Sequence, residues 1–154
     1  MANPVLTPVS APVQQTTPIL LDGQPLSLTD VAAVALEGRP VELGPTARSN
    51  MAISRATVER LVETSTPAYG ITTGIGSLSD RVIPPERARE LQVNLLLSHA
   101  TGAGEPLPTE VVRGAMLLRA VSLARGHSGV RPEVVEALLA LLNAGVHPIV
   151  PCQG

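Results

Sequence analysis

Apolar residues recur at three- and four-residue spacing along most of the chain, in blocks that glycine and proline separate, which is the pattern of helices joined by short turns. The stretch 45-PTARSNMAISRATVERLVET-64 predicts one such helix with Pro45 at its start. Ala47, Met51, Val58 and Leu61 or Val62 share its apolar face, and Arg48, Arg55, Glu59 and Arg60 mostly face out. A second long helix is expected to begin at Pro84 and Pro85, run through Leu91, Leu95 and His99, and stop at Gly102 or Gly104. A third covers about Pro108 to Ala124, with Val112, Ala115, Met116, Leu118 and Leu123 apolar, and Gly126 ends it. After the turn 127-HSGVR-131, Pro132 opens a helix over Val134 to Leu142 that Gly145 terminates. Earlier, Ser27 or Thr29 can cap a shorter helix over Asp30 to Leu36, with Gly38 stopping it. Asp22-Gly23 lies between two short apolar pieces in 18-PILLDGQPLSL-28, which predicts a small β-hairpin near the start. The fold class is therefore mainly α, and no internal repeat is visible.

Three segments depart from this pattern. Residues 1–17 are rich in Pro and Thr and read as a flexible tail, leaving 18–154 as the helical portion. The stretch 67-PAYGITTGIGSLSD-80 is too rich in Gly and Thr for a helix or a core strand and reads as a loop. At the other end, 148-PIVPCQG-154 has the composition of an extended, Pro-rich lead-in.

Composition narrows the function. Hydrophobic residues make up 44% of the 154, nearly all of them Ala, Val, Leu and Ile. Tyr69 is the single aromatic residue, and it opens the glycine loop. Net charge is −2 with both signs interspersed and no Lys or Arg block, so nothing recruits nucleic acid or an anionic membrane. One cysteine, Cys152, excludes an internal disulfide and makes a reducing cytoplasmic setting the simpler expectation. The N-terminus lacks the basic start and apolar run of a signal peptide, and Asn143, His147 and Pro148 interrupt the longest apolar stretch well short of a membrane span. His99, His127, His147 and Cys152 show no metal-ligand spacing, so no metal site is expected.

The candidate chemistry lies in the loop and the helix that follows it. Gly70, Gly74 and Gly76 lack the following Lys of a phosphate loop, but they supply backbone freedom for close approach to a ligand, as well as for an ordinary surface turn. A phenol beside such a loop can serve as acid or base if its surroundings adjust it, or as a half-buried anchor. His99 falls on the face of Gln92, Leu95 and Leu96 near a helix C-terminus, where an imidazole can satisfy a terminal carbonyl or read a polar substrate group.

Taken in order, AYGITTGIGSLSD, LQVNLLLSHATGAGEPL and VRGAMLLRAVSLARGHSGVRPEVVEALLALLNAGVHPIVPCQG resemble the N-terminal part of the aromatic amino acid ammonia-lyase family, and most closely its histidine-specific branch, over about residues 18 to 154. The resemblance implies a mainly helical homotetramer that eliminates ammonia from an amino acid with an electrophilic methylidene-imidazolone group (MIO) formed from Ala-Ser-Gly. It implies that Tyr69, in the YGxxTGxG loop, removes the β-proton, that Gly76 lines the site, and that His99 of the Ser98-His99 pair contacts the substrate side chain.

Two loop positions depart from the family pattern: Ile75 stands where Phe is usual, and Thr72 where the histidine branch commonly has Asn. Thr72-Thr73 is familiar from the tyrosine and phenylalanine branch, whereas Ser98-His99 points to histidine. Ala-Ser-Gly occurs nowhere in residues 1 to 154. The expectation is a portion of an ammonia-lyase that converts L-histidine to urocanate together with a C-terminal lyase chain carrying the electrophile. The alternatives are a tyrosine or phenylalanine lyase, an aminomutase, or a non-catalytic assembly fragment.

Overall fold

The computed structural model describes residues 17–84 and 87–153. The expected tail over 1–17 lies almost wholly outside the described residues, as do Pro85 and Gly154.

Ser27 caps helix α1 (Leu28–Glu37) through a capping box: the Asp30 amide donates to Ser27 Oγ at 3.1 Å, and the Asp30 carboxylate reaches back to the Ser27 amide and hydroxyl. Gly38 ends the helix in the left-handed region at φ +73°. The bonds with the Ser27 hydroxyl hold the Asp30 carboxyl below its ordinary range.

Strand β1 (Ile19–Leu21) does not fold back as a hairpin. It pairs in parallel with β2 (Val41–Leu43), in register Ile19 with Val41, and α1 forms the crossover between them. Gly23 does turn the chain at φ +84°, but the turn delivers Asp22 to the next helix rather than to a neighbouring strand. Helix α2 (Pro45–Glu63) begins at Gly44, which has no side chain to cap it. Asp22 Oδ1 instead accepts from the Ala47 amide at 3.0 Å, and that bond, followed by one from Thr46, lowers the Asp22 carboxyl below its usual value. Asp-Gly therefore caps a helix from a distance, a contact that local pattern does not reveal.

Helix α4 (Thr109–Ala124) is central and packs on α1, α2 and α5 (Pro132–Asn143). Its buried stripe is Val112, Met116, Leu117, Ala120 and Ala124. Of the apolar positions read from sequence, Val112 and Met116 are inward, whereas Ala115 is exposed and Leu118 is 54% exposed, because neighbours meet α4 on a narrower face than its apolar content suggests. Val34, Val41, Ala47, Met51, Val135, Leu139 and Leu142 complete most of the core with Ile19 and Leu21. Side chains this small allow close helix approach, and each fully buried Leu or Val contributes about 1.5–3 kcal/mol.

Two polar devices tie this core together. Asn143, the last residue of α5, closes the outer edge of β2: Val41 N–H donates to its Oδ1 at 3.0 Å, and its Nδ2 donates to the Val41 carbonyl at 2.9 Å. Arg113 on α4 donates to the carbonyls of Val34, Ala35 and Leu142 at 2.8, 3.2 and 3.0 Å, joining the C-terminal turns of α1 and α5.

The remaining elements lie outside that core. Helix α3 (Ala88–His99) begins after the two prolines rather than at Pro84 and ends before the glycines, at His99. Leu91 and Leu95 are half-buried, and Val93, Leu96 and Leu97 are exposed. The C-terminal stretch does not stay a free lead-in: β4 (Pro151–Gln153) pairs antiparallel with β3 (Ala103–Pro106), and all of β3 is exposed. Among the described residues, no helix is long and apolar enough to cross a membrane.

Candidate active site

The loop after α2 is built around one carbonyl. The amides of Ile71, Thr72 and Thr73 all converge on the oxygen of Ala68, at 3.1, 3.0 and 3.2 Å. Gly70, at φ +69°, allows the tight turn that makes this possible. The two threonines point inward and are 7% and 4% exposed, the buried polar residues among the described ones.

Both threonine hydroxyls are used within the loop. Thr72 Oγ1 donates to the Thr66 carbonyl at 2.7 Å and accepts from the Ala68 amide at 2.8 Å. Thr73 Oγ1 donates to the Gly74 carbonyl at 3.1 Å. The two arms then close as a short antiparallel contact, with Ile83 N–H on the Thr72 carbonyl at 2.9 Å and Gly74 N–H on the Arg81 carbonyl at 3.0 Å. A single 3₁₀ turn, Gly76–Leu78, forms the tip. Val62, Ile71, Val82 and Ile83 enclose a small apolar cavity of about 110 Å³ behind the arms.

This frame leaves Tyr69 on the outside. The ring is 65% exposed, and the Gly76 amide donates to its hydroxyl at 3.3 Å. The structure therefore brings Tyr69 and Gly76 together, seven residues apart in sequence. An amide donating to the phenol oxygen serves a phenolate as well as a phenol, and it leaves the outward side of that oxygen accessible.

Ser98 and His99 form a second small cluster at the end of α3. His99 Nδ1 sits 2.9 Å from the Leu95 carbonyl and 3.0 Å from Ser98 Oγ, while Ser98 Oγ donates to the same carbonyl at 2.9 Å. With Nδ1 donating to Leu95, a neutral ring carries its free acceptor on Nε2, and among the described residues no hydrogen bond engages that nitrogen. The imidazole thus satisfies a terminal carbonyl and keeps one nitrogen for another group, so the two readings of this residue are compatible. Among the described residues, no hydrogen bond links this cluster to Tyr69 or Gly76, and no group of three or more His, Cys, Asp or Glu side chains is placed to hold a metal ion.

A larger cleft lies elsewhere. About 570 Å³ opens beside Glu37, Gly38, Thr109, Glu110, Arg113 and Gly145, at the helix ends that Arg113 braces. Its guanidinium is already spent on three carbonyls, so this cleft belongs to the scaffold.

Sequence reasoning missed the structural use of Thr72, which it weighed only as a marker of substrate branch. The available signal was two adjacent β-branched, hydroxyl-bearing residues in an otherwise glycine-rich loop, a composition that buries well only if both hydroxyls find local partners.

Comparison with known proteins gives a consistent picture. The aromatic amino acid lyase family profile matches residues 26–154. The chain is 52% identical over 136 residues to a histidine ammonia-lyase of Gloeobacter violaceus, covering 88% of this chain and 26% of that protein. Among solved structures it resembles the ergothioneine-degrading ergothionase of Treponema denticola, with TM-score 0.86 and 31% identity over 90% of this chain and 28% of the other. It also resembles the tyrosine aminomutase of Streptomyces globisporus, with TM-score 0.84 and 34% identity over 90% of this chain and 26% of the other. The chain thus spans about a quarter of the length of the proteins it matches.

Proposed function

The chain belongs to the aromatic amino acid lyase family, and from that premise we propose that it is the Tyr-loop portion of an enzyme eliminating ammonia from L-histidine to give urocanate. The observation that carries the reading is the 52% identity to a histidine ammonia-lyase over 136 residues, 88% of this chain. The exposed Tyr69–Gly76 pair and the unengaged side of the His99 ring support the roles assigned to them.

Elimination requires a base for the β-proton while the carbon–nitrogen bond breaks and the electrons of the C–H bond become the new double bond. In this reading the Tyr69 oxygen, as phenolate, takes that proton, and the Gly76 amide holds the oxygen in place before and after the transfer. His99 Nε2 accepts a hydrogen bond from the substrate's imidazole N–H, so histidine is read by its side chain. Thr72 does not compete for that role, because its hydroxyl is buried and doubly engaged within the loop. When bound, methylidene-imidazolone supplies the electrophile that makes the amine a leaving group. Residues 1–154 contain no Ala-Ser-Gly and so contribute none of its atoms. What they offer is the complementary half, a base and an imidazole left open to solvent rather than spent on the core. The electrophile then comes from a lyase segment or C-terminal chain carrying Ala-Ser-Gly, in a tetrameric, cytoplasmic assembly.

A second reading keeps this family chemistry but takes tyrosine or phenylalanine, with lyase or aminomutase outcome. It rests on the Thr72-Thr73 pair and on the likeness to a tyrosine aminomutase. Ultraviolet assays on the complete enzyme containing this segment separate the two. Urocanate formed from L-histidine, without coumarate from tyrosine or cinnamate from phenylalanine, is the expected result. Product from tyrosine or phenylalanine alone, or a β-amino acid, would replace the histidine reading by the second.

A further inference from the structure

We propose that Thr72 is a positioning residue for Tyr69, acting as a hydroxyl clamp that fixes where the phenol stands. The proposal rests on Tyr69 being the base. Tyr69 has one polar contact of its own, the long 3.3 Å bond from Gly76, and its ring is 65% exposed, so packing does little to hold it. Its position must come from the backbone that carries it. That backbone is anchored on the N-terminal side by the Thr72 hydroxyl, which grips residues on both sides of Pro67: the Thr66 carbonyl at 2.7 Å and the Ala68 amide at 2.8 Å. Pro67 has no amide to donate, so these two bonds hold the loop entrance together with the three amides that converge on the Ala68 carbonyl.

The clamp is also joined to the far arm. The Thr72 carbonyl accepts from Ile83 N–H at 2.9 Å, and Thr73, next in sequence, bridges to Val82. One residue therefore connects the loop entrance through its side chain and the loop exit through its main chain. Its hydroxyl is also buried at 7% residue exposure, so water does not readily substitute for it. Here a single atom, the hydroxyl oxygen, both donates and accepts; valine has the same shape and can do neither.

The test compares Thr72→Val, Thr72→Ser and Tyr69→Phe in the complete enzyme, with kcat and KM for L-histidine. Misplacing a catalytic group by about 1 Å costs on the order of 100-fold, so Thr72→Val is expected to lower kcat by ~10- to 100-fold with KM changed less than ~3-fold. Thr72→Ser retains the hydroxyl and is expected to restore kcat to within ~3-fold of the parent. A second readout uses the 154-residue chain itself, in which Tyr69 is the only aromatic residue and its fluorescence anisotropy reports this loop alone. Thr72→Val should lower that anisotropy and Thr72→Ser should not.

Parent-like kcat or parent-like anisotropy in Thr72→Val overturns the clamp, as does a Thr72→Ser variant as impaired as Thr72→Val. Tyr69→Phe separates the two ideas. If it turns over normally, Tyr69 loses its role as base; if it is inactive beside a fully active Thr72→Val, the clamp alone is wrong.

Discussion

Replacing Arg113 by methionine keeps the aliphatic stem but removes three hydrogen bonds at once, to the carbonyls of Val34, Ala35 and Leu142. Val34 and Ala35 lie in the last turn of α1, where carbonyls have no following helical amide to accept from. The Leu142 carbonyl is better provided for, since it also accepts from the Gly145 amide at 3.2 Å. A bond from a charged donor contributes about 1.5–3 kcal/mol net, but these three share one guanidinium and border the cleft of about 570 Å³, where water replaces part of what is lost. The expected destabilisation is therefore about 2–4 kcal/mol rather than the simple sum. Urea unfolding followed by far-ultraviolet circular dichroism measures it, with an unchanged slope indicating that the compactness of the native and denatured states is unaltered. Arg113→Lys keeps the charge but not the planar fork, reaches fewer carbonyls, and should recover about half of the loss. A methionine variant within ~0.5 kcal/mol of the parent would refute the idea that this side chain braces α1 and α5.

Other perturbations test other parts of the account. The Asp22 carboxyl is held below its ordinary range by the Ala47 amide, so it favours the folded state above the unfolded-state value and loses that effect as pH falls through the folded one. Asp22→Asn should accordingly flatten the acid limb of the stability profile, and an unchanged limb in urea titrations between pH 6 and about pH 3 would remove Asp22 as a cap. Gly126 sits at φ +76°, and a Cβ there would come within 2.8 Å of the Asn50 backbone, so Gly126→Ala should cost about 1–3 kcal/mol in the same assay. His99→Leu in the complete enzyme should weaken histidine use, read as a lower kcat/KM for histidine against tyrosine; an unchanged preference returns His99 to capping the end of α3.

Most of the helical scaffold was legible because its signals are local. Pro45 and Pro132 start helices, Ser27 and Gly38 bracket α1, and Gly126 follows α4, each through backbone rules that need no distant partner. What escaped was set by contacts across the fold. Asp22-Gly23 looks like a hairpin turn until Ala47 supplies a helix end for the carboxylate, and the strand beside β1 lies across α1 rather than beyond the turn. The buried face of α4 was only partly legible, because Ala115 and Leu118 are apolar yet exposed, and apolar content alone does not announce which side of a helix meets a neighbour. In the loop, composition singled out Tyr69 and the glycines, and the family likeness assigned them a task. The two bonds of the Thr72 hydroxyl emerge only in the fold, since a hydroxyl's partner cannot be read from its neighbours in sequence.

The central claim is that the Tyr69 oxygen takes the β-proton of histidine, and Tyr69→Phe tests it most directly because the change removes one exposed hydroxyl and almost no packing. In the complete enzyme, urocanate formation should fall by ~10²- to 10⁴-fold in kcat with assembly and helical content unchanged. Turnover within a few-fold of the parent would contradict the account.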